Sequence, residues 1–543
     1  MHLEAKARAA LQEVLREQGV EPPAEIPVER PTRPEYGDLT SRVAFLLGGR
    51  LGTSPDALAV RLAQGLSQLS LFREVRAERG FVNFFFQPRV LWEVLGETLR
   101  AGETWSGDGE GRALQVEFVS SNPTGPLTVG HGRQAALGDT LANLFAELGW
   151  RVTREYYLND EGHQIDLLAQ SLWARYRQAQ GVDVPIPEGG YHGAYLIPIG
   201  EELAQTWNGR YPNWNDAALP VFRQEAVSRM LEMIEEDLAA MGVRFDVWTR
   251  EGDLHRRGLV RETFAELRRR GATFEAEGAW WLRSKEHGLS RDPVLIRSDG
   301  TPTYLLVDIA YHLDKFRRGF VWVIDVQGAD HVEEQKQVLL ALRLLGLPEG
   351  FLSYRVHQFV TLKGREGVER MSTRAGRFLR LSDLVEELGR DVVRYFLLQR
   401  RPESHLVFDY ELARKESMEN PVYYVQYAHT RIASVFREAE GGGSPDDLAS
   451  VDLSPLTDPA ELALIRELDR FPDVLGETAL GLSPHLLCEY LEGLAALFHP
   501  YYSRVRILGQ GKATPARLAL LSCVQLVLRR GLRILGVSAP VAM

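Results

Sequence analysis

Residues 115–150 read QVEFVSSNPTGPLTVGHGRQAALGDTLANLFAELGW, and this stretch decides the fold. Gln115 to Val119 is a short run with β-branched and aromatic residues, as in a buried strand. Asn122 to Gly130 contains Pro123, Gly125, Pro126 and Gly130, which break regular structure and make a loop. From His131 the apolar residues fall at Leu137, Leu141, Leu144, Phe145 and Leu148, a helical stripe. Thr128 stands where an N-cap belongs. A strand, a glycine-containing loop and a helix N-terminus in succession suit an anion, because unpaired amides and the positive end of the helix dipole converge there. On its glycines alone, an ordinary strand–loop–helix unit is the plainer reading.

Working outward, Arg151 to Asp160 reads as a second strand, which makes a βαβ unit and predicts a parallel sheet. Residues 170–250 are mostly helical, with a polar interruption at 179–216, and are read as an insertion. Strands return at 278–282 and 293–297. Ser298-Asp299-Gly300 is a hairpin-type turn, and Thr301 to Asp308 continues as strand before a helix. Phe320 to Val326 is a further buried strand, ending at Gln327-Gly328-Ala329-Asp330-His331, where a ligand would sit. A Gly/Arg-rich loop covers 363–378, and the chain is helical from about 410.

The first 20 residues form an amphipathic helix through Leu3, Ala7, Leu11, Val14 and Leu15. A Pro-rich link follows, then two helices, the second capped by Ser54 or Asp56. Arg79 to Phe86 reads as a strand. Phe84 to Phe86 read first as strand core, and could also offer RNA bases a stacking surface.

With 543 residues the chain is too long for one core, and three or four domains are expected. No apolar run reaches the roughly 20 residues a membrane helix needs. Glu4, Glu13 and Glu17 leave no room for a signal h-region, so a cytoplasmic protein without membrane contact is expected. Cys488 and Cys523 are too few for a disulfide framework or a Cys-rich zinc site. The net charge is −11, so RNA binding would need a local positive face. Arg256-Arg257, Arg268-Arg269-Arg270 and Arg317-Arg318 are candidates, each also readable as a solvated helix surface.

The string NPTGPLTVGHGR (122–133) resembles the nucleotide loop of class I aminoacyl-tRNA synthetases, and within them the arginyl branch, where His-x-Gly-His ends a Pro/Gly-rich loop. EYYLNDEGHQI (155–165) matches the same branch, and Arg370-Met371-Ser372-Thr373-Arg374 resembles the second signature, usually Lys-Met-Ser-Lys. YGDL (36–39) and GFVNFFF (80–86) resemble the additional N-terminal domain that reaches the tRNA elbow. VYYVQYAHTR (422–431), HPYY (499–502) and APVAM (539–543) resemble the helical anticodon-binding domain. The resemblance implies an α/β chain: a class I Rossmann-like parallel-sheet catalytic domain, a small α/β N-terminal domain and an all-α C-terminal anticodon-binding bundle. The expected boundaries are 1–95, 110–400 with an insertion around 170–270, and 410–543. The implied activity is a ligase that activates L-arginine with ATP and transfers it to the 3′ end of tRNA-Arg. ATP with Mg2+, no structural metal and a monomer are expected.

A guanidinium substrate needs carboxylates in planar, bidentate reach. By resemblance Glu117 and Asp308 hold it, Tyr304 packs along it, and Asn122 holds the α-amino end. His131 contacts the ATP phosphates, with Thr128 at the place of the family's first His. Pro123, Gly130 and Gly132 bring the nucleotide to the backbone. Gln327, Gly328 and Asp330 line the nucleoside from the other half of the sheet. Met371 and Ser372 hold a mobile loop over ATP, with Arg370 and Arg374 as its cations. Tyr36, Phe84, Tyr424 and Arg431 are the expected tRNA contacts.

Two departures weigh on activity. Thr128 offers a hydroxyl that cannot become cationic. Thr373 and Arg370 replace the two lysines of the loop, leaving Arg374 or Lys363 to supply charge. Gly125 stands where some arginyl enzymes with a changed loop carry a compensating lysine. A missing charge at pyrophosphate costs on the order of 2–4 kcal/mol in the transition state. A tRNA- or arginine-binding paralogue with weakened activation is therefore a second reading, and a nucleotidyl transferase without RNA a third.

Overall fold

The structure is a computed structural model and describes residues 2–102, 107, 109–329, 332–364, 367–369, 380–439, 448 and 450–543. Its centre is a five-stranded sheet. Strand β1 (Ala113–Glu117) is buried along its whole length, as a central parallel strand must be. The chain then enters helix α1 (Val129–Glu147), whose N-cap is Thr128, as expected. Strand β2 (Arg151–Leu158) completes the βαβ unit. Strand β3 (Val247–Arg250), helix α2 (Tyr304–Arg317), strand β4 (Trp322–Gly328) and strand β5 (Leu352–His357) follow. The order across the sheet is β5-β4-β1-β2-β3, and every pair is parallel. The chain leaves β1 toward β2 and returns on its other side at β4. The strand ends at that reversal form a crevice.

The stripe expected on α1 is present: Leu137, Leu141, Leu144 and Phe145 are buried. The helix lies very close to the exit of β1. A Cβ on Gly138 would come within 2.1 Å of the Phe118 ring.

Three expectations need correction. Thr301–Asp308 is not a strand: Thr303 is the N-cap of α2, which begins at Tyr304. The strand expected over 79–86 begins only at Phe81. Arg79 and Gly80, with φ of +50° and +80°, form the turn of a hairpin. The partner strand, Phe72–Glu78, escaped the sequence reading because its half-exposed face is charged. Two residues of the Pro-rich link, Val28–Glu29, add an edge strand, giving the sheet order Val28–Glu29, Leu39–Ser41, Phe81–Phe86, Phe72–Glu78. Helix Pro55–Leu66 is capped by Ser54, whose hydroxyl accepts from the Ala57 amide at 3.2 Å.

Between β2 and β3, helices His163–Ala179, Leu196–Trp207 and Ala218–Ala240 pack around their own core of Leu168, Tyr176, Leu203 and Phe222. The C-terminal region is helical: Pro421–Glu438, Pro459–Asp469, Phe471–Leu480, His485–Arg504 and Ala513–Leu535. Arg394, fully buried, ties it to helix α1. It donates to Asp139 on α1 at 2.7 Å, to the Met241 carbonyl and to the Leu535 carbonyl. Cys488 and Cys523 are buried thiols. Among the described residues no helix is long and apolar enough to cross a membrane.

Candidate active site

A cleft of about 630 Å³ opens at the C-terminal ends of β1 and β4. It gathers Glu117 and Asn122 after β1, Thr128, Gly130 and His131 at the mouth of α1, Tyr304 and Asp308 on α2, and Gln327 and Gly328 ending β4. These are nine of the residues singled out from the sequence.

The loop leaving β1 is held in an unusual conformation. The Ser120 amide donates to the Phe118 carbonyl at 2.9 Å, closing a three-residue turn around Val119 at φ +66°. Ser120 follows at φ +38°. Left-handed backbone at a β-branched residue costs of order 1–3 kcal/mol and persists where surroundings enforce it. The turn aims the Ser120 hydroxyl at Glu117 (2.9 Å), while the Tyr156 phenol donates to the Ser121 carbonyl (3.0 Å). Farther along, Tyr195 of the inserted helices donates to the Thr124 carbonyl at 2.7 Å. Its ring covers Gly125, where an added Cβ would stand 3.0 Å from the phenol oxygen.

At the helix mouth, the Thr128 amide donates to His131 Nδ1 at 3.1 Å. That bond fixes the tautomer: Nδ1 accepts, so Nε2 carries the proton. Burial, with the nearby His357, pushes His131 down to about 4. The ring is therefore a neutral donor at neutral pH.

Three carboxylates stand abreast across the sheet. Glu117 is in register with Glu155 on β2 and with Asp325 on β4, so all three point to one face. Helix α2 faces them with positions spaced i, i+4, i+7 and i+11, Tyr304, Asp308, Tyr311 and Lys315, of which the last two supply their partners. Lys315, fully buried, pairs with Glu117, and the Tyr311 phenol donates to Glu155 at 2.8 Å. Burial alone would raise the Glu155 carboxyl. Lys315, Arg318 and hydrogen bonds from Thr249 and Arg318 outweigh it and hold Glu155 below its ordinary value. Asp325 goes the other way: burial first, then Glu117, drive its carboxyl well above its ordinary value. Gln327 donates to it at 2.7 Å and is itself held by Gln335 at 2.8 Å.

On the open side, Asp308 lies 3.2 Å from His312 Nε2. Glu251, just past β3, accepts from the Tyr157 phenol at 2.8 Å, and burial raises its carboxyl. Glu251 also lines the cleft. Glu251, Asp308 and Glu117 all act on the Tyr157 phenol, which burial and these charges raise far above its ordinary value. The cleft is thus an acidic pocket beside a helix N-terminus. It suits a cation at one end and an anion at the other.

Sequence reasoning missed Glu251, Asp325, Tyr311 and Lys315. The last two share a helical face with Tyr304 and Asp308, a signal hidden by reading Thr301–Asp308 as strand. Asp325 sits inside an apolar run and Glu251 in a charged one, and neither spacing marks them.

Some expected residues stand elsewhere. Pro123 is buried and does not line the cleft, and Gly132 is a helix-packing position, with an added Cβ 2.6 Å from Leu381. Asn122 lines the cleft but its side-chain amide is already bonded to Gln164 at 2.9 Å. Phe84 is 0% exposed and packs on Phe72, so it offers no stacking surface. Tyr36 is half-buried in a cavity with Arg79 and Phe81. Tyr424 packs on His499 at 4.6 Å, and Arg431 is held over the Tyr427 ring at 4.4 Å. Lys363 pairs with Asp409 at 3.1 Å. Asp330, Arg370, Met371, Ser372, Thr373 and Arg374 lie outside the described residues.

Comparison with known proteins agrees along the chain. Residues 1–86 match a model described as the arginyl tRNA synthetase N terminal domain. Residues 98–400 match the catalytic domain of tRNA synthetases class I (R), and 425–543 the DALR anticodon binding domain. An arginine–tRNA ligase of Thermotoga petrophila is 42% identical over 522 residues, covering 95% of each chain. One from Desulforudis audaxviator is 43% identical over 555 residues, covering 99% of this chain and 98% of its own. The solved arginyl-tRNA synthetase of Thermus thermophilus superposes with a TM-score of 0.76 at 25% identity, covering 99% of this chain and 100% of that one.

Proposed function

The chain belongs to the family of arginyl-tRNA synthetases, and from that premise we propose how its cleft works. It is a ligase that activates L-arginine with ATP to arginyl-adenylate, releasing pyrophosphate, and passes the arginyl group to the 3′ end of tRNA-Arg. The reading of a binding paralogue is not favoured, since relatives matching nearly end to end are named as ligases.

The observation that carries the site assignment is the acidic pocket adjoining the mouth of α1. Asp308 and Glu251 take the arginine guanidinium, with Tyr304 along its stem. Glu117 is already balanced by Lys315 and Ser120, so its part is at the other end, with Asn122, at the α-amino group. Asp308 and Glu251 differ in backbone origin, which lets two planar contacts approach one guanidinium from different sides.

The arginine carboxylate attacks the α-phosphorus of ATP, and pyrophosphate leaves. His131 donates from Nε2 to the oxygen on which charge grows, and the free amides at the start of α1 add to it. Preorganisation does most of this work, since the phosphoryl chemistry needs positioning and charge stabilisation. Gly130, Gln327 and Gly328 border the nucleoside. Among the described residues no group of three or more His, Cys, Asp or Glu could hold a metal ion. Mg2+ belongs to this proposal as the companion of the ATP phosphates. Met371, Ser372, Arg370 and Arg374 close over ATP in the same proposal, Asp330 stands by the ribose, and Tyr36, Tyr424 and Arg431 meet tRNA. The enzyme is proposed to act as a cytoplasmic monomer.

ATP–pyrophosphate exchange tests the reading, run with arginine, lysine or citrulline, with and without tRNA-Arg. Exchange with arginine and tRNA-Arg together is expected. Absence of exchange alongside intact tRNA binding would leave only a binding protein.

A further inference from the structure

The loop that leads from β1 into α1 is bonded to helices that are not its neighbours along the chain. Each helix inserted between β2 and β3 supplies one such bond. Gln164, on helix His163–Ala179, accepts from the Asn122 side-chain amide at 2.9 Å. Tyr195, the N-cap of helix Leu196–Trp207, donates its phenol to the Thr124 carbonyl at 2.7 Å. Asp237, on helix Ala218–Ala240, accepts from the Leu127 amide at 2.8 Å.

The last two bonds are built into the packing. The Tyr195 ring rests on the core of the inserted helices, and Gly193 leaves room for it: an added Cβ there would stand 2.0 Å from the ring. Asp237 is 0% exposed. A buried carboxylate is costly without bonded partners. Its partners come from two segments: the Leu127 amide on one side, the Ser382 side chain and, at 3.8 Å, Arg380 on the other. Leu127 also meets that second segment directly, its carbonyl accepting from the Leu381 amide at 2.9 Å.

Leu127 immediately precedes Thr128, whose amide donates to His131 Nδ1. The aim of the imidazole therefore depends on where residues 124–127 stand. A group displaced by about 1 Å from its productive place can cost about 100-fold in rate. Neither Tyr195 nor Asp237 lines the cleft.

We propose that Tyr195 and Asp237 are positioning residues for adenylate formation, acting through the loop rather than on substrate. This rests on the family reading above and adds to it that the inserted helices set the geometry of the site from outside it.

The test is ATP–pyrophosphate exchange by the full chain at saturating arginine and tRNA-Arg, for Tyr195→Phe, Asp237→Ala and Asp237→Asn, with Tyr195→Phe also combined with His131→Asn. Tyr195→Phe keeps the ring and removes one hydrogen bond. Its kcat is expected to fall about fivefold, the worth of one hydrogen bond felt wholly in the transition state, with KM for arginine and the melting temperature nearly unchanged. Asp237→Ala orphans the Leu127 amide and should lower kcat further. Asp237→Asn restores an acceptor and should recover most of that loss. In the His131→Asn background Tyr195→Phe should change kcat by less than about twofold, because the group it aims is gone. A fivefold loss that persists there overturns the proposal, as does an unchanged kcat in Tyr195→Phe. Hydrogen–deuterium exchange of peptides covering 122–131 gives a reading that does not depend on activity. Faster exchange confined to those peptides in Tyr195→Phe is expected, and no difference overturns the hold on the loop. An unaltered protein that exchanges no pyrophosphate would sink the family reading, while the deuterium arm would still support or overturn that hold.

Discussion

Lys315 is sealed beneath the cleft with its ammonium on Glu117, the lysine 0% and the glutamate 6% exposed. The Tyr311 ring lies 4.1 Å from the same nitrogen. A lysine is seldom buried so fully, and here it pairs with Glu117 while its charge also lowers Glu155 and Asp325 on the same sheet face. Replacing it by methionine leaves Glu117 buried without its cation. Lys315→Met is expected to lose about 3–5 kcal/mol of unfolding free energy, read by urea denaturation. Lys315→Met/Glu117→Gln should recover much of that loss. A double variant no more stable than the single one would show that the pair matters little to the fold.

Asp308 faces the open cleft one helical turn from Tyr304. Asp308→Asn keeps the size and removes the charge. The expected result is a fall in kcat/KM for arginine of about 100-fold or more, since a charge-assisted bidentate contact is worth roughly 2–5 kcal/mol when one partner is removed. KM for ATP should hardly move. An equal rise in both KM values would place Asp308 in the scaffold instead.

His131 predicts a pH effect with a definite sign. Its folded value is about 4, below the 6.5 of a free imidazole. The unfolded chain therefore takes up the proton first, so this group's contribution to stability is complete above about pH 6.5 and drains away as pH falls toward 4. Protonation of Nδ1 would also break its bond from the Thr128 amide. In His131→Asn the loss of stability across pH 6.5 to 4, followed by thermal melts, should be shallower than in the unaltered protein. The same substitution should lower kcat about 100-fold, as for loss of one oxyanion donor.

Phe84 separates a structural role from a binding one. It is wholly buried between Phe72 and the neighbouring strands. Phe84→Ala is expected to cost about 3–5 kcal/mol of stability. At temperatures where the variant remains folded, tRNA affinity should equal that of the unaltered chain. A selective loss of tRNA binding in a stable variant would reverse this assignment.

The loop-to-helix unit around His131 is legible in the sequence because its meaning is local. The glycines and prolines of 122–130, the cap at Thr128 and the stripe on α1 all act within a few residues, and the structure has them in that order. Tyr304 and Asp308 are legible as a pair only because i and i+4 share a face in both a strand and a helix. Reading their element as a strand hides Tyr311 and Lys315, which join that face only at helical spacing. Arg79-Gly80 shows the same difficulty: a turn between two strands looks, along the chain, like the start of one.

The sequence by itself determined the strand–loop–helix unit, the parallel sheet and the family, because hydrophobic period, breakers and signature spacing are read along the chain. Tertiary structure alone decided the charge map. Glu117, Glu155 and Asp325 become neighbours through strand register, and Lys315 reaches them from a helix nearly 200 residues after β1. The arginine runs that look positive on paper meet acids, some a turn away on the same helix and others from distant segments, while scattered single arginines converge with Asp139 and Asp246 at one cavity. Coulomb energy depends on distance through space and on burial. Position along the chain carries neither.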